Sequence, residues 1–177
     1  MDHAPPPPTT PAVRLPHYTP ADQAEILGDG PDPFGVADTG LTFLPKEIHF
    51  GIKPHDRLIA HTGLLELPLS IGPLTTEVIG VGGVAVAPDV RGQGLARRVL
   101  TTALTHARTL GPHHALLFCR PPFTPFYEHL GWHTLTVNVH VEQPQGAVLM
   151  PLRTMWTPLR EGAEWADGEV RLLSYPM

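Results

Sequence analysis

The segment VAVAPDVRGQGLA, residues 84–96, constrains the fold more than any other part of this chain. An apolar run ends at Pro88, an arginine and two glycines follow, and a helical pattern then begins. A strand that turns into a helix in this way exposes the N–H groups of the first helical turn, where the aligned peptide dipoles are partly positive. Arg91 adds a full charge, and Gly92 and Gly94 permit a tight backbone. The segment therefore predicts either a pyrophosphate cradle or a simple tight turn.

The composition favours a folded protein, and its acidic charge balance suits a small cationic substrate. The chain has 177 residues, of which 42% are hydrophobic and 16% charged, and this is enough apolar material for a substantial core. Its formal net charge of −5 argues against nucleic acid or an acidic membrane as a partner. Cys119 is the single cysteine, and no basic, then apolar, signal opens the chain. We therefore expect a cytoplasmic protein without disulfides.

Hydrophobic patterning predicts an α/β chain with a mixed sheet. Apolar or alternating runs predict strands at residues 46–53, 57–71, 75–86, 114–119, 133–142 and 148–159. Capping residues and proline or glycine boundaries predict helices at residues 20–27, 95–110 and 125–130. Residues 1–12 are dense in proline and predict a flexible tail, so residues 13–177 are expected to form a single domain.

Two motifs resemble those of a known family. VGGVAVAPDVRGQGLARRVL is similar to motif A of the GCN5-related N-acetyltransferases (GNAT), in which R/Q-x-x-G-x-G/A binds the pyrophosphate of coenzyme A. FTPFYEHLGW, after one helix and one strand, is similar to motif B of the same family. The resemblance implies that the strand residues contact the pantetheine arm and the turn residues the pyrophosphate. The cofactor-binding residues implied are Val84, Ala85, Val86, Arg91, Gly92, Gln93, Gly94, Leu95 and Ala96.

The same resemblance implies a fold and an activity. The expected fold is a mixed, mostly antiparallel central sheet flanked by helices and splayed between strands 4 and 5. The expected enzyme is an acyltransferase that moves an acetyl group from acetyl-CoA, its co-substrate, to a primary amine by direct attack on the thioester. A homodimer that exchanges the last strand between subunits is compatible with the family. Eleven histidines are present, but no HExxH motif or pair on one helical face occurs, so we expect no metal.

The reaction asks for a neutral amine, a donor to the developing oxyanion and a proton for the departing thiolate. Backbone N–H groups around Val84–Val86 are candidates for the oxyanion donor, and Gly82–Gly83 indicates either a bulge that frees them or a packing concession. Tyr127 occupies the motif B position where family members carry a catalytic acid; the alternative is a tyrosine packed in the core.

The general base is not placed by the sequence. Many members of the family carry a glutamate just before motif A, where this chain has Gly82–Gly83. The amine has three possible routes for losing its proton: to Glu77, to Glu66, or through a water chain that ends at His61. The sequence favours an ordinary solvated or structural position over the role of base for each of these residues.

A narrower resemblance bears on the acceptor. Residues 58–95 and the tail EWADGEV are similar to the aminoglycoside 2′-N-acetyltransferases, which implies a small cationic acceptor such as an aminoglycoside or a related amino sugar. Carboxylates pair well with ammonium groups, so Asp38, Glu66 and Glu169 are the expected substrate-binding residues. The chain departs from that group by lacking the strand-four glutamate and by continuing through RLLSYPM. A peptide or protein amine as acceptor, and a non-catalytic CoA sensor, are the alternatives.

Overall fold

The structure, a computed structural model, describes residues 9–28, 34 and 36–177. In that part of the chain ten strands form one mixed sheet beside three α-helices. The strands are β1 (Val13–Leu15), β2 (Ile48–Ile52), β3 (Ala60–Ile71), β4 (Leu74–Val86), β5 (His114–Cys119), β6 (His133–Thr134), β7 (Val139–Val141), β8 (Val148–Leu149), β9 (Arg153–Pro158) and β10 (Val170–Leu172). The helices are α1 (Pro20–Leu27), α2 (Leu95–Ala107) and α3 (Thr124–His129). The predicted α/β class is confirmed.

The strand order is β6-β9-β5-β4-β3-β10-β7-β8, and β2 and β1 extend from β3. Among the strand pairs of the described residues, β4–β5 and β7–β10 are parallel and all the others are antiparallel. This confirms the predicted mixed, mostly antiparallel sheet. β4 and β5 pair at only two positions, Ile79 with Ala115 and Gly80 with Leu116. Both strands continue beyond that point without pairing to each other. The predicted splay between strands 4 and 5 is therefore present, and it opens a cleft inside the sheet.

The sheet is strongly curled. β6 and β7 lie six places apart in the strand order, which is about 29 Å in a flat sheet at ~4.8 Å per strand. Only residues 135–138 connect them, and such a connection spans about 17 Å at most. The sheet must therefore bend to bring its two ends together.

The helices follow the capping signals of the sequence with small shifts. Thr19 and Asp22 form a capping box at the start of α1, and Gly28 ends the helix as predicted. α2 buries its apolar stripe but ends at Ala107, three residues before the predicted end at Leu110. Residues 108–110 continue instead as turns, with the N–H groups of residues 109 and 110 bonded to carbonyls three residues earlier. α3 begins at Thr124 itself rather than after it.

Two predicted strands are each divided in the structure, and two short strands were not predicted. The run 148–159 forms β8, which pairs with β7, and β9, which pairs with β5 and β6. The alternating run 133–142 is divided into β6, which pairs with β9, and β7, which pairs with β8 and β10. One alternation of apolar residues cannot reveal that the chain changes partners in the middle. β1 and β10 were not predicted, because a strand of three residues is too short to show a periodic pattern.

Apolar side chains fill two clusters on opposite faces of the sheet. Neighbouring residues along β5 alternate between them, with Leu117 in one cluster and Leu116 in the other. α1 and α2 cover the first face, and β7, β10 and Met150 contribute to the second. Residues 1–8 of the predicted tail lie outside the described residues. No helix in the described part of the chain is long and apolar enough to cross a bilayer.

Candidate active site

A cavity of about 870 Å³ occupies the cleft between β4 and β5. The ends of both strands, the start of α2, and Tyr127 on α3 form one side of it. The other side is formed by α1, the segment leading to β2, and the side chains of His49 and His61. The cavity therefore joins the two sequence motifs to a set of residues that precede both of them.

The start of α2 has the properties of an anion site. Gly94 is the N-cap residue in the left-handed region (φ 75°), and no side chain caps the helix. The first N–H groups of the helix are thus left without a side-chain acceptor at the cavity wall. A Cβ atom at Gly92 or Gly94 would meet no atom within 4 Å, so open space lies in front of the turn. Arg91 Nε donates to the carbonyl of Val86 (3.1 Å) and ties the turn to β4.

Eight of the nine predicted cofactor residues line this cavity. They are Val84, Ala85, Val86, Arg91, Gly92, Gly94, Leu95 and Ala96. Gln93 is absent from the lining, and its Oε1 is buried without a hydrogen-bond partner in the described chain. A group with phosphate charge fits the turn, because backbone N–H groups, a helix dipole and Arg91 all converge there.

The glycine pair in β4 marks a β-bulge, as one of the two sequence interpretations predicted. The register between β3 and β4 shifts between His61 and Gly63, so two residues of β4 oppose Thr62. Gly83 has φ +60° at this point, a conformation that glycine adopts without strain. His61 Nδ1 lies 2.8 Å from the carbonyl oxygen of Gly83. The bulge is therefore held from the neighbouring strand by an imidazole.

His61 is the inner member of a histidine pair. His61 Nε2 lies 2.9 Å from His49 Nδ1, and His49 Nε2 lies 3.1 Å from the carbonyl oxygen of Lys46. Together with the Gly83 contact this makes three contacts of hydrogen-bond length. Two neutral imidazoles carry only two N–H protons, so one of the three contacts lacks a proton. We place the His61 proton on Nδ1, because the Gly83 carbonyl can only accept. Tyr18 stacks on His61 at 3.6 Å between ring centroids.

Burial keeps this pair neutral. It lowers the pKa of His61 to about 3, and the charge on Lys46 acts in the same direction. Burial also lowers the pKa of His49. An imidazole that resists protonation so strongly is a weak base at neutral pH. His61 is thus better suited to holding the bulge than to taking a proton from an ammonium group.

The low pKa of His61 predicts a loss of stability in mild acid. The unfolded chain binds a proton near pH 6.5, whereas the folded chain binds it near pH 3, so stability is lost as the pH falls through that window. Between pH 6 and pH 5 this residue alone should lower the free energy of unfolding by about 1 kcal/mol, up to ~1.4 kcal/mol per pH unit. Urea unfolding at both pH values should show this slope reduced in His61→Asn and retained in His55→Asn, an exposed control. Equal slopes in all three proteins would contradict the assignment.

Tyr127 is held at the cavity wall by α3. Its residue is 8% exposed, and its ring makes edge contacts with Phe126 and Trp132. Burial raises the pKa of Tyr127 above its usual value, with a smaller contribution from nearby Cys119. Burial likewise raises the pKa of Cys119, whose Sγ lies 3.9 Å from the sulfur of Met155. Tyr127 therefore stays protonated and presents an O–H donor, while Cys119 is a buried thiol.

The three predicted substrate-binding acids do not come together at the cavity. Asp38 is exposed on a short 3₁₀ turn, and Glu169 is exposed just before β10. Glu66 hydrogen-bonds to Glu77, a contact that raises the pKa of Glu66, and both line a separate cleft of about 520 Å³. Among the described residues that line the main cavity, none is an aspartate or a glutamate.

Sequence reasoning considered His61 but missed Lys46 and His49, and Lys46 is the most informative of the residues opposite the bulge. A Cβ atom at Gly63 would lie 2.7 Å from the Lys46 side chain, and one at Gly82 would lie 2.8 Å from Lys46 Cε. One at Gly83 would lie 3.3 Å from His61 Cε1. The glycines of β3 and β4 thus make room for a lysine and an imidazole. In the sequence these glycines indicate that another group comes close to the strand, but they do not identify the side chain that does so.

Comparison with known proteins agrees with this geometry. Residues 41–135, just over half of the chain, match the family model described as an acetyltransferase (GNAT) domain. The chain therefore belongs to the GNAT acetyltransferase family, and its fold is the one expected of that family. No curated protein matches the chain.

Solved structures share the fold at low sequence identity. A GNAT family N-acetyltransferase (YhbS) from Escherichia coli in complex with CoA is 17% identical, with a TM-score of 0.59 over 93% of this chain and 91% of that one. A GNAT family acetyltransferase from Brucella melitensis in complex with acetyl-CoA is 17% identical, with a TM-score of 0.51 over 90% and 94%. The ribosomal-protein-S18-alanine N-acetyltransferase from Escherichia coli is 16% identical, with a TM-score of 0.53 over 85% and 99%.

Proposed function

We propose that this protein transfers the acetyl group of acetyl-CoA to the primary amine of a small molecule. The observation that carries the proposal is that one cavity unites the uncapped start of α2, the bulged edge of β4 and the hydroxyl-bearing ring of Tyr127. These are the places where a pyrophosphate, a thioester oxygen and a departing sulfur each need a partner.

The cofactor end of the cavity fits coenzyme A through backbone and charge. Arg91 and the N–H groups at the start of α2 would hold the pyrophosphate, and the turn glycines leave the space for it. The free edge of β4 from Val84 to Val86 would pair with the pantetheine arm, because β5 has already diverged from it. Two neighbours that share the fold carry CoA or acetyl-CoA, which supports the same co-substrate here.

The bulge would supply the oxyanion donor. A bulge leaves a backbone N–H outside the strand ladder, and Gly83 and Val84 are the residues so displaced. A rigid N–H aimed at developing charge stabilises it without the cost of reorganising solvent. The hydrogen bond from His61 to the Gly83 carbonyl fixes the peptide that has to be aimed.

The cavity offers the acceptor no aspartate or glutamate base among its described lining residues. The described lining carries Lys46, Arg91, Arg97 and Arg120 and no acidic side chain. The apolar surface of the cavity disfavours the charged ammonium form of a bound amine and lowers its pKa. An acceptor that binds here is therefore more readily neutral, and its proton can leave to water through the mouth of the cleft.

The same charge distribution is unsuited to a polycationic acceptor. An aminoglycoside, which the narrower resemblance implies, would bring several ammonium groups against Lys46 with no aspartate or glutamate among the described lining residues to pair them. The support here is for an acceptor with a single amine that meets the apolar surface near Leu27, Phe43 and Met177. Aminoglycosides and peptides remain the comparison arms of the test.

Thiol release from acetyl-CoA, measured against amines, amino acids, aminoglycosides and short peptides, tests the proposal. We expect amine-dependent release, and an acetyl-CoA dissociation constant about 10–100-fold higher for Gly94→Val, whose side chain would enter the anion site. Gly162→Val is the matched control, because Gly162 has nearly the same φ (+73°), equally open space and no place in the cavity. Tight acetyl-CoA binding with no thiol release from any acceptor would favour a sensor over an enzyme.

A further inference from the structure

We propose that Lys46 binds a carboxylate of the acceptor, so that the acceptor is an amine with a carboxylate next to its amino group and an otherwise apolar body. The proposal deepens the acetyltransferase function proposed above and rests on it. It assigns the substrate class to one side chain on the acceptor side of the cavity.

The position of Lys46 is the first support. Its stem lies along Gly63, and its ammonium reaches over β4, where Nζ is 3.4 Å from the place a Cβ of Gly82 would occupy. The charge is thus held one residue away from the bulge at Gly83. A carboxylate bound to it at about 2.8 Å would lie beside the reacting amine rather than at the far end of the acceptor.

The absence of a protein partner is the second support. Within the described chain Lys46 Nζ has no hydrogen bond and no ion pair, and the two salt bridges found there are both at the surface, Arg57–Asp89 and Arg171–Glu142. Burial lowers the pKa of Lys46, which is the cost of keeping an ammonium away from water without a counter-ion. An anion delivered by a ligand would remove that cost. The described lining of the cavity offers no acidic side chain to do so.

The remaining surface is the third support. The residues around the acceptor side are mainly apolar or aromatic, so a polar acceptor with several hydroxyl or ammonium groups would lose hydration there without finding partners. They are Tyr18, Leu27, Val36, Phe43, Leu152 and Met177. One charge at Lys46 and an apolar wall beyond it fit an α-amino acid with an apolar side chain.

Matched acceptor pairs test the proposal. Phenylalanine and 2-phenylethylamine, like glycine and methylamine, differ only by the carboxylate. For the wild-type protein we expect KM to be about 10–100-fold lower for the carboxylate member of each pair. Lys46→Met, which keeps an unbranched apolar stem of similar length, should remove that preference and leave 2-phenylethylamine within about threefold of the wild type. Lys53→Met is the control, because Lys53 is exposed and is the only other lysine in the chain.

Direct observation of the lysine separates failure of this proposal from failure of the enzyme function. With ¹³Cε-lysine labelling, the chain gives two side-chain signals, which Lys46→Met and Lys53→Met assign. Titration of the CoA-loaded protein with N-acetylphenylalanine should shift the Lys46 signal and raise the pH at which it titrates, while 2-phenylacetamide should leave it unmoved. This readout needs no turnover.

The possible results distinguish the assignment of Lys46 from the acetyltransferase function. Acetyl transfer without preference for the carboxylate member, or an unmoved Lys46 signal, overturns the assignment and leaves the acetyltransferase function standing. A fall in kcat for both members of a pair in Lys46→Met also overturns it, because the lysine then moves a proton instead of binding a carboxylate. A shifted Lys46 signal without turnover on any amine supports the carboxylate site and counts against the enzyme function.

Discussion

Replacing Gly83 with alanine is expected to lower kcat for acetyl transfer by about 100–1000-fold, the usual cost of losing one oxyanion donor. Gly83 holds φ +60°, where a residue with a Cβ is strained by about 1–2 kcal/mol. The added Cβ would also lie 3.3 Å from His61 Cε1. The positive φ and the close contact with His61 can both be relieved only if the Gly83 peptide rotates. That rotation would displace the backbone N–H of the bulge that we propose as the oxyanion donor.

Gly72→Ala is the matched control for this variant. Gly72 lies in the turn at the other end of β3 and β4, has φ +54°, and would bring a Cβ to 3.4 Å from the carbonyl oxygen of Asp167. Both variants should lose similar stability in urea unfolding, but only Gly83→Ala should lose activity. Binding of acetyl-CoA, measured by calorimetry, should change little in either. If Gly83→Ala keeps more than about a tenth of the wild-type kcat, the bulge does not serve the oxyanion.

Much of the fold could be predicted from local patterns in the sequence. Thr19 and Gly28 enclose α1 because side-chain capping and left-handed glycine are decided within a few residues. The RGQG turn is local in the same way, since its positive φ angles and the helix that follows depend only on adjacent residues. The curl of the sheet and the place of β10 between β3 and β7 depend on contacts between distant segments. No period in the sequence encodes them.

The acceptor side of the site illustrates the same limit more sharply. Lys46, His49 and His61 are brought together by the pairing of β2 with β3 and by a bulge in β4. The glycines at 63, 82 and 83 indicated that something comes close, but a missing side chain does not name its neighbour. The acids singled out in the sequence carry the right charge for a cationic acceptor. Glu66, however, lies in the middle of β3 and Glu77 near the start of β4, and both line the second cleft instead of the main cavity.

Tyr127 is expected to matter as a hydrogen-bond donor to the departing sulfur. Burial raises the pKa of its hydroxyl, so complete transfer of its proton to a thiolate of ordinary pKa near 8.5 is unfavourable. A hydrogen bond to a charged sulfur in the same dry cavity is still favourable, by about 1.5–3 kcal/mol. Tyr127→Phe should therefore lower kcat by about 10–100-fold and leave KM for acetyl-CoA within about threefold, because the bond forms only as charge develops.

The pH profile distinguishes a donor from a titrating acid. Since Tyr127 remains protonated across the working range, the logarithms of kcat for wild type and Tyr127→Phe should run parallel from pH 6 to pH 9.5. Tyr175→Phe is the control, since Tyr175 lies outside the cavity and should behave as wild type. Profiles that converge at high pH would mean that the phenol loses its proton within this range, against its burial. An unchanged kcat in Tyr127→Phe would mean that Tyr127 only packs in the core and that the departing sulfur takes its proton from water.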